Sequence, residues 1–306
     1  MTDVPETPSS STAAIGVISA ATAFLIWGAS PIYWNLLKAV PALEILTHRI
    51  AWSFIFLAPL VLIQGRRELI SALKDKFSLM MLAGSTLMVA LNWLIYIWAV
   101  THDQVLQASL GYFICPLVNV VLGMVFLKER LRRAQIVAVV LAIGGVFYLT
   151  IHFGHIPWIA LSLAISFGLY GLIRKTIIAG ALVGLTVETL LLFIPALVYL
   201  LLLDRTGGGF FWRDGWRMSI ILIGTVLPTA PPLLLFTFGA RRLNLSTVGF
   251  LQYIMPSCAF MLAVFLYQEP FEKAQLVTFV TIWVALAIFS IDSVVSGQRI
   301  YRREPV

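Results

Sequence analysis

Three ionisable residues stand close together inside one apolar stretch: Glu44, His48 and Arg49. Glu44 and His48 are four residues apart, so on a helix they share a face, and histidine titrates near neutral pH. An acid and an imidazole on one face offer a proton-coupled or cation-recognising site. The plainer reading is a polar contact at a helix end, satisfied by water. Arg49 is turned more than about 90° away from Glu44, which argues against a pair within the helix and assigns Arg49 to packing or to a backbone carbonyl. Glu188 occupies a similar setting later in the chain. It reads either as a second gate or, preferably, as a carboxylate on the first turn of a helix, where the dipole favours negative charge.

A second group is polar and aromatic: Trp27, Tyr33, Asn92, Tyr96, Gln107, Tyr112, Gln252 and Tyr253. Aromatic walls with a few amides suit an amphiphilic solute, held by buried area and a few hydrogen bonds. Taken singly, each residue is equally compatible with packing or an interhelical hydrogen bond. Tyr112 and Gln252–Tyr253 sit just ahead of Pro116 and Pro256, at matching places in two apolar runs. Amides there would be stranded in lipid, so they are expected to point inward, towards a path lined by the first, third, fourth and ninth apolar segments.

Catalytic and cofactor motifs are missing from the sequence. No GxxxxGK[ST] occurs, and the glycines of TGGGFF are not followed by a lysine. There is no HExxH, and His48, His102, His152 and His155 are scattered. Cys115 and Cys258 lie alone in apolar runs without a CxxC, which reads as packing. No catalytic residue, metal or cofactor is assigned, and the chain is not read as an enzyme.

The elements that must position these residues follow from composition. Of 306 residues, 60% are hydrophobic and 11% are charged, and the mean hydropathy is +0.96. A soluble domain carries about 25% charged residues. With 21 Lys+Arg and 14 Asp+Glu, too few charges exist to clothe a soluble globule. An ordinary soluble enzyme is excluded, and so is a nucleic-acid partner despite the net charge of +7. The long continuous apolar runs exclude a membrane barrel, whose strands alternate over about 10 residues.

An all-α membrane protein remains, and the bilayer is its partner. A crossing needs about 20 apolar residues, which gives ten segments at 14–37, 43–64, 78–101, 105–127, 132–150, 157–173, 185–203, 217–240, 246–267 and 272–295. Residues 1–13 hold no Lys or Arg and read as a short disordered tail rather than a signal peptide. Residues 296–306 form a basic tail. The run LPTAPP at 227–232 predicts a bend in the eighth segment. If the N-terminus is cytoplasmic, fifteen Lys and Arg fall on the inside and five on the outside, with Arg49 within a crossing. The positive-inside rule therefore puts both termini in the cytoplasm.

Shifting the chain by 140 residues lays 82–137 on 222–277 without a gap, and twelve of the 56 positions are identical. They include Pro116/Pro256, Glu129/Glu269 and the pair Ala134-Gln135/Ala274-Gln275. At slightly larger offsets Trp27-Gly28 meets Tyr170-Gly171 and Glu44 meets Glu188. The chain thus reads as two five-helix halves, 14–150 and 157–295. Five is odd, so the second half enters the membrane inverted. Inverted repeats recur in secondary transporters, with the substrate site between the halves.

The strings IWGASPIYWNLLK, VPALEILTHRIAWSF, NWLIYIWAV, ASLGYFICPLVNVVLGMVFLKERLRR, FGLYGLIRK, RLNLSTVGFLQYIMP and VTFVTIWVALAIF resemble EamA-type transporters of the drug/metabolite transporter superfamily. The resemblance runs from about residue 20 to 292 and departs from the family pattern where the ninth segment ends in YQEP. It implies ten helices in two halves, a bacterial inner-membrane location and a permease role, without specifying a substrate. The expectation is a secondary transporter of a small organic metabolite or drug, working by alternating access. The alternatives are an uncoupled uniporter, a non-transporting sensor or an intramembrane enzyme.

Overall fold

Inside a bilayer an apolar run has no water to satisfy its backbone, so it hydrogen-bonds within itself as a helix. The computed structural model describes residues 10–101, 105–154, 158–266 and 273–301, and all regular structure among them is helical. The order is α1 (Ser10–Asn35), α2 (Ala42–Gln64), α3 (Arg66–Lys74), α4 (Lys76–Thr101), α5 (Val105–Phe126), α6 (Arg133–Phe153), α7 (Trp158–Thr176) and α8 (Ala181–Thr206). Then come α9 (Gly215–Gly224), α10 (Ala230–Ala240), α11 (Leu245–Gln252), α12 (Ile254–Met261) with a π-helical continuation at Leu262–Leu266, and α13 (Lys273–Tyr301).

Six helices, α1, α2, α4, α6, α7 and α8, contain apolar stretches of 19 to 26 residues. At about 1.5 Å per residue each reaches roughly 28–39 Å, enough for a hydrocarbon core of about 30 Å. Large apolar side chains such as Ile18, Ile63, Phe147 and Ile194 are exposed along their outer faces, where lipid takes the place of a protein partner. The chain is a multi-pass membrane protein.

Two stretches expected as single helices are broken, each at proline. Between α9 and α10 lies a turn at 225–229. Pro231 and Pro232 fall in the first turn of α10, where backbone N–H groups lack helical partners in any case. The bend expected at LPTAPP is therefore a break. A second break at Tyr253 separates α11 from α12. Pro256 has no N–H for the Gln252 carbonyl, and its ring crowds that oxygen. Pro31 is tolerated inside α1 because Ser30 Oγ donates to the Trp27 carbonyl at 2.7 Å, replacing the missing bond.

Other boundaries differ from the apolar-run reading. Helix α1 begins at Ser10, inside the stretch expected as a disordered tail, and α13 continues to Tyr301. Helix α3 has no counterpart among the ten apolar segments. Its sequence RRELISALK buries Ala72, which joins a cluster with Val61, Leu82, Val183 and Val187. Glu68 of α3 accepts the Gly180 N–H just before α8.

Packing brings helices from the two ends of the chain together. Helix α5 lies on α11 so closely that a Cβ at Gly249 would stand 2.6 Å from the Pro116 carbonyl oxygen. One core cluster joins α5, α6 and α13 through Val120, Ala142, Phe279 and Ala285. Another joins α1, α7, α8 and α10 through Phe24, Tyr170, Leu185 and Phe236. A cavity is left between these two clusters.

Candidate functional site

The cavity measures about 650 Å³, and α1, α2, α4, α5, α7, α10, α11 and α12 all contribute to its wall. It is of the size that takes a small organic molecule. Of the residues singled out in the sequence, Trp27, Asn92, Tyr96, Tyr112 and Gln252 line it. These five come from four separated segments, and their side chains are held in place by other helices. Asn92 Nδ2 donates to the Leu163 carbonyl at 2.9 Å and to Ser166 Oγ at 3.1 Å, tying α4 to α7. Gln252 Oε1 accepts from Asn119 Nδ2 at 2.8 Å, tying α11 to α5. The rings of Tyr96 and Tyr112 lie 6.1 Å apart.

Two candidates lie outside the cavity wall. Tyr33 donates to the Ile221 carbonyl and belongs to a cluster with Leu37 and Leu222. Tyr253 is fully buried and donates to the Phe113 carbonyl at 3.2 Å. Each hydroxyl has found a carbonyl on another helix, which is the packing alternative. The side chain of Gln107 lies outside the described residues.

Arg49, assigned to packing from the sequence, borders the cavity. Its Nε donates to Thr229 Oγ1 at 3.0 Å. Its Cζ stands 4.9 Å from the ring centroids of both Trp34 and Trp93. The partner is thus a threonine in the α9–α10 turn and two indoles, not a backbone carbonyl. The cavity therefore combines aromatic walls, the three amides of Asn35, Asn92 and Gln252, and a guanidinium.

Glu44 and His48 are buried but do not border the cavity. Glu44 Oε1 accepts the Phe210 N–H at 2.8 Å, so its carboxylate holds the 207–214 loop against α2. His48 Nε2 is 3.9 Å from Glu44 Oε1, and His48 Nδ1 accepts from the Trp52 indole at 3.2 Å. The shared face is real, and the protein backbone supplies the partner that was expected to be water.

Glu188 is not a helix cap. Helix α8 begins at Ala181, so Glu188 lies two turns in, beyond reach of the unpaired N–H groups. Instead it meets Arg174 of α7, with Nε–Oε1 at 3.5 Å and both side chains almost fully buried. Ser85 of α4 donates to the same carboxylate, and Tyr170 donates to its other oxygen at 3.4 Å. Arg174 Nη2 also donates to the Ala181 carbonyl at 3.2 Å. Gly184 lies opposite: a Cβ there would fall 1.8 Å from Arg174 Nη1, so a larger residue would displace the guanidinium.

Between this ion pair and the cavity stands a group of rings, Phe24, Trp27, Phe167, Tyr170 and Phe236. Neighbouring centroids in the group are 5.3 Å apart for Phe167–Phe236 and 6.0 Å for Trp27–Phe167. Tyr170 and Phe236 are stacked at an interplanar angle of 16°. The cavity lining begins at Phe24 and continues to Asn35 at the far end of α1. Its N-terminal side is therefore plugged by rings, with a buried salt bridge behind them.

Glu129, marked in the sequence only as a repeat position, has a structural role. It accepts the Ser246 N–H at 3.0 Å and the Ser246 hydroxyl at 2.6 Å, as well as the Leu245 N–H. A carboxylate from the end of the fourth apolar segment thus caps α11. Glu269, its repeat mate, lies outside the described residues. No group of three metal-ligating side chains occurs among the described residues.

Comparison with known proteins gives the family and the fold. A profile described as the EamA-like transporter family matches twice, over residues 14–151 and 156–291. The chain is 46% identical over 285 residues to "Protein RarD" of Escherichia coli (strain K12), covering 93% of this chain and 96% of that one. It is 44% identical over 293 residues to an "Uncharacterized transporter" of Vibrio cholerae, covering 95% and 97%. It is 31% identical to the "Chloramphenicol-sensitive protein RarD" of Pseudomonas aeruginosa, covering 91% and 94%. A solved crystal structure superposes with a TM-score of 0.69 at 17% identity, over 91% of this chain and 96% of the other, a likeness of fold.

Proposed function

We propose, since the chain belongs to the EamA-like transporter family and is of the RarD type, that it is a secondary transporter carrying a small organic solute through the cavity by alternating access. Trp27, Asn92, Tyr96, Tyr112, Gln252 and Arg49 form the substrate path. The protein lies in the bacterial inner membrane with both termini in the cytoplasm, and the plugged side of the cavity faces inward.

The observation that carries this reading is a cavity whose wall draws on both matched segments and runs up to a cluster of packed rings. A duplicated sequence gains such a site where its halves meet. Helix packing supports an inverted ten-crossing arrangement, with α9–α10 and α11–α12 each counted as one crossing and α3 as none. Helices α2, α5 and α6 pack on α8, α11 and α13, their own counterparts. Helix α1 packs on α10 and α12, while its counterpart α7 packs on α4 and α5. Exchanging the halves maps these principal pairs onto one another.

In this reading the inner closure is the ring cluster backed by Arg174 and Glu188, and Glu44 steadies the loop on the other side. The test is thiol accessibility of Trp27→Cys and Tyr112→Cys, with Cys115 and Cys258 replaced. Both positions should react with a water-soluble maleimide from the outer face and, more slowly, from the inner face. Labelling by lipid-phase reagents alone would put the path elsewhere.

A further inference from the structure

Among the described residues lining the cavity, Arg49 is the one that carries a full charge, and no Asp or Glu shares the wall. The ion pairs between described side chains join Arg132 to Asp292 and Arg174 to Glu188, while Glu44 lies beside His48. None of them neutralises Arg49. A charge at membrane depth is retained against a considerable insertion cost and usually faces a cavity or a partner.

The contacts that Arg49 does make hold the group in place without consuming its charge. Thr229 takes the Nε proton, and the guanidinium carbon lies over the Trp34 and Trp93 rings, 4.9 Å from each centroid. Ring faces attract the cation but accept no in-plane N–H. A guanidinium has five donors, and among the described residues none accepts from the four on the two Nη atoms. That edge is a planar fork, the geometry that grips a carboxylate with two parallel hydrogen bonds. Because the rings and the threonine come from three other segments, the fork is oriented before any ligand arrives, which lowers the ordering cost of binding.

We infer that the cavity binds an organic monoanion: a carboxylate seated on the Nη edge of Arg49, carried on an apolar or aromatic body that lies against Trp27, Tyr96, Tyr112 and Phe167. The inference deepens the transport reading and rests on it for every step after binding. Aromatic and apolar groups dominate the rest of the wall, so the body is expected to be uncharged. A cationic solute is disfavoured by Arg49 itself.

The test uses the purified full-length protein in detergent and a panel of aryl alkanoates from phenylacetate to naphthylacetate, each with its neutral amide and its amine analogue. Binding is read from the fluorescence of the cavity tryptophans. Carboxylates should bind about ten-fold or more tighter than their amides, in line with a charge-assisted hydrogen bond, and amines should bind weakest. Arg49→Gln should bring carboxylates down to the level of the amides. Arg49→Lys, which keeps the charge and loses the fork, should retain part of the preference. Residual amide binding by Arg49→Gln shows that the variant is folded, and Arg49→Lys serves alone if it is not. Equal or tighter binding of amides or amines overturns the inference. So does a carboxylate preference that survives Arg49→Gln, or a panel in which no carboxylate binds. Arg49-dependent binding without flux in proteoliposomes would overturn the transport reading instead, and flux blind to charge would overturn only the present inference.

Discussion

Replacing Glu188 by Ala leaves Arg174 with no opposite charge in a site closed to solvent. The two groups are 3.5 Å apart. At an effective dielectric of about 20, unit charges at that distance attract by roughly 5 kcal/mol. Breaking a buried pair by removing one partner costs about 3–5 kcal/mol, in agreement with that figure. The Ser85 and Tyr170 hydroxyls lose their acceptor at the same time. Removing both charges, as Arg174→Met/Glu188→Ala, leaves no stranded ion, so the double variant should be more stable than Glu188→Ala alone by about 2 kcal/mol or more. Unfolding free energies from SDS titration in mixed micelles supply the cycle. If the two single losses simply add in the double variant, within about 0.5 kcal/mol, Arg174 and Glu188 are not a coupled pair and the inner closure is misassigned.

Two further outcomes concern the loops. Gly208→Cys, in a background lacking Cys115 and Cys258, should react with an impermeant maleimide in intact cells, because residue 208 is exposed beyond the end of α8; reaction only after the membrane is opened contradicts the proposed orientation. At the start of α4, hydrogen bonds from Ser78 hold the Asp75 carboxyl below its ordinary pKa, so its contribution to stability is present above the unfolded value and disappears as pH falls through the depressed one. Asp75→Ala should therefore flatten the dependence of thermal stability on pH below about 4, and an unchanged dependence in melting experiments refutes the cap.

What the sequence made legible was set by the bilayer. Crossing length and apolarity placed α2, α4 and α5 within about two residues, because no soluble alternative competes for such runs. The break before α10 was foreseeable from Pro228, Pro231 and Pro232. The break at Tyr253 was not, since Pro116 occupies the matching position of α5 without interrupting it. Helix α3 escapes an apolar-run reading because nine residues with four charges carry no crossing signal. Glu188 reads wrongly as a cap because such a reading starts its helix four residues late.

The site was legible in part for a different reason. Polarity within an apolar run marks inward-facing residues, and five of the eight polar and aromatic candidates line the cavity. That criterion cannot separate a cavity wall from a buried hydrogen bond, which is where Tyr33 and Tyr253 went. Arg49 is undervalued by sequence because its meaning depends on Trp34, Trp93 and Thr229, the last 180 residues away. The repeat offset identified Glu129 as a special position, but the partner it caps lies on another element altogether.

The most direct test of the account is protein-dependent efflux through the cavity. Proteoliposomes containing the unaltered protein or, in parallel, the Trp27→Cys variant free of other cysteines are loaded with an isotope-labelled extract of small metabolites, and the external medium is followed by mass spectrometry. At least one small organic solute should leave faster than from empty liposomes, and alkylating Cys at position 27 should stop that efflux. Efflux indistinguishable from empty liposomes, or unaffected by alkylation, contradicts the claim that solute passes between the halves at this cavity.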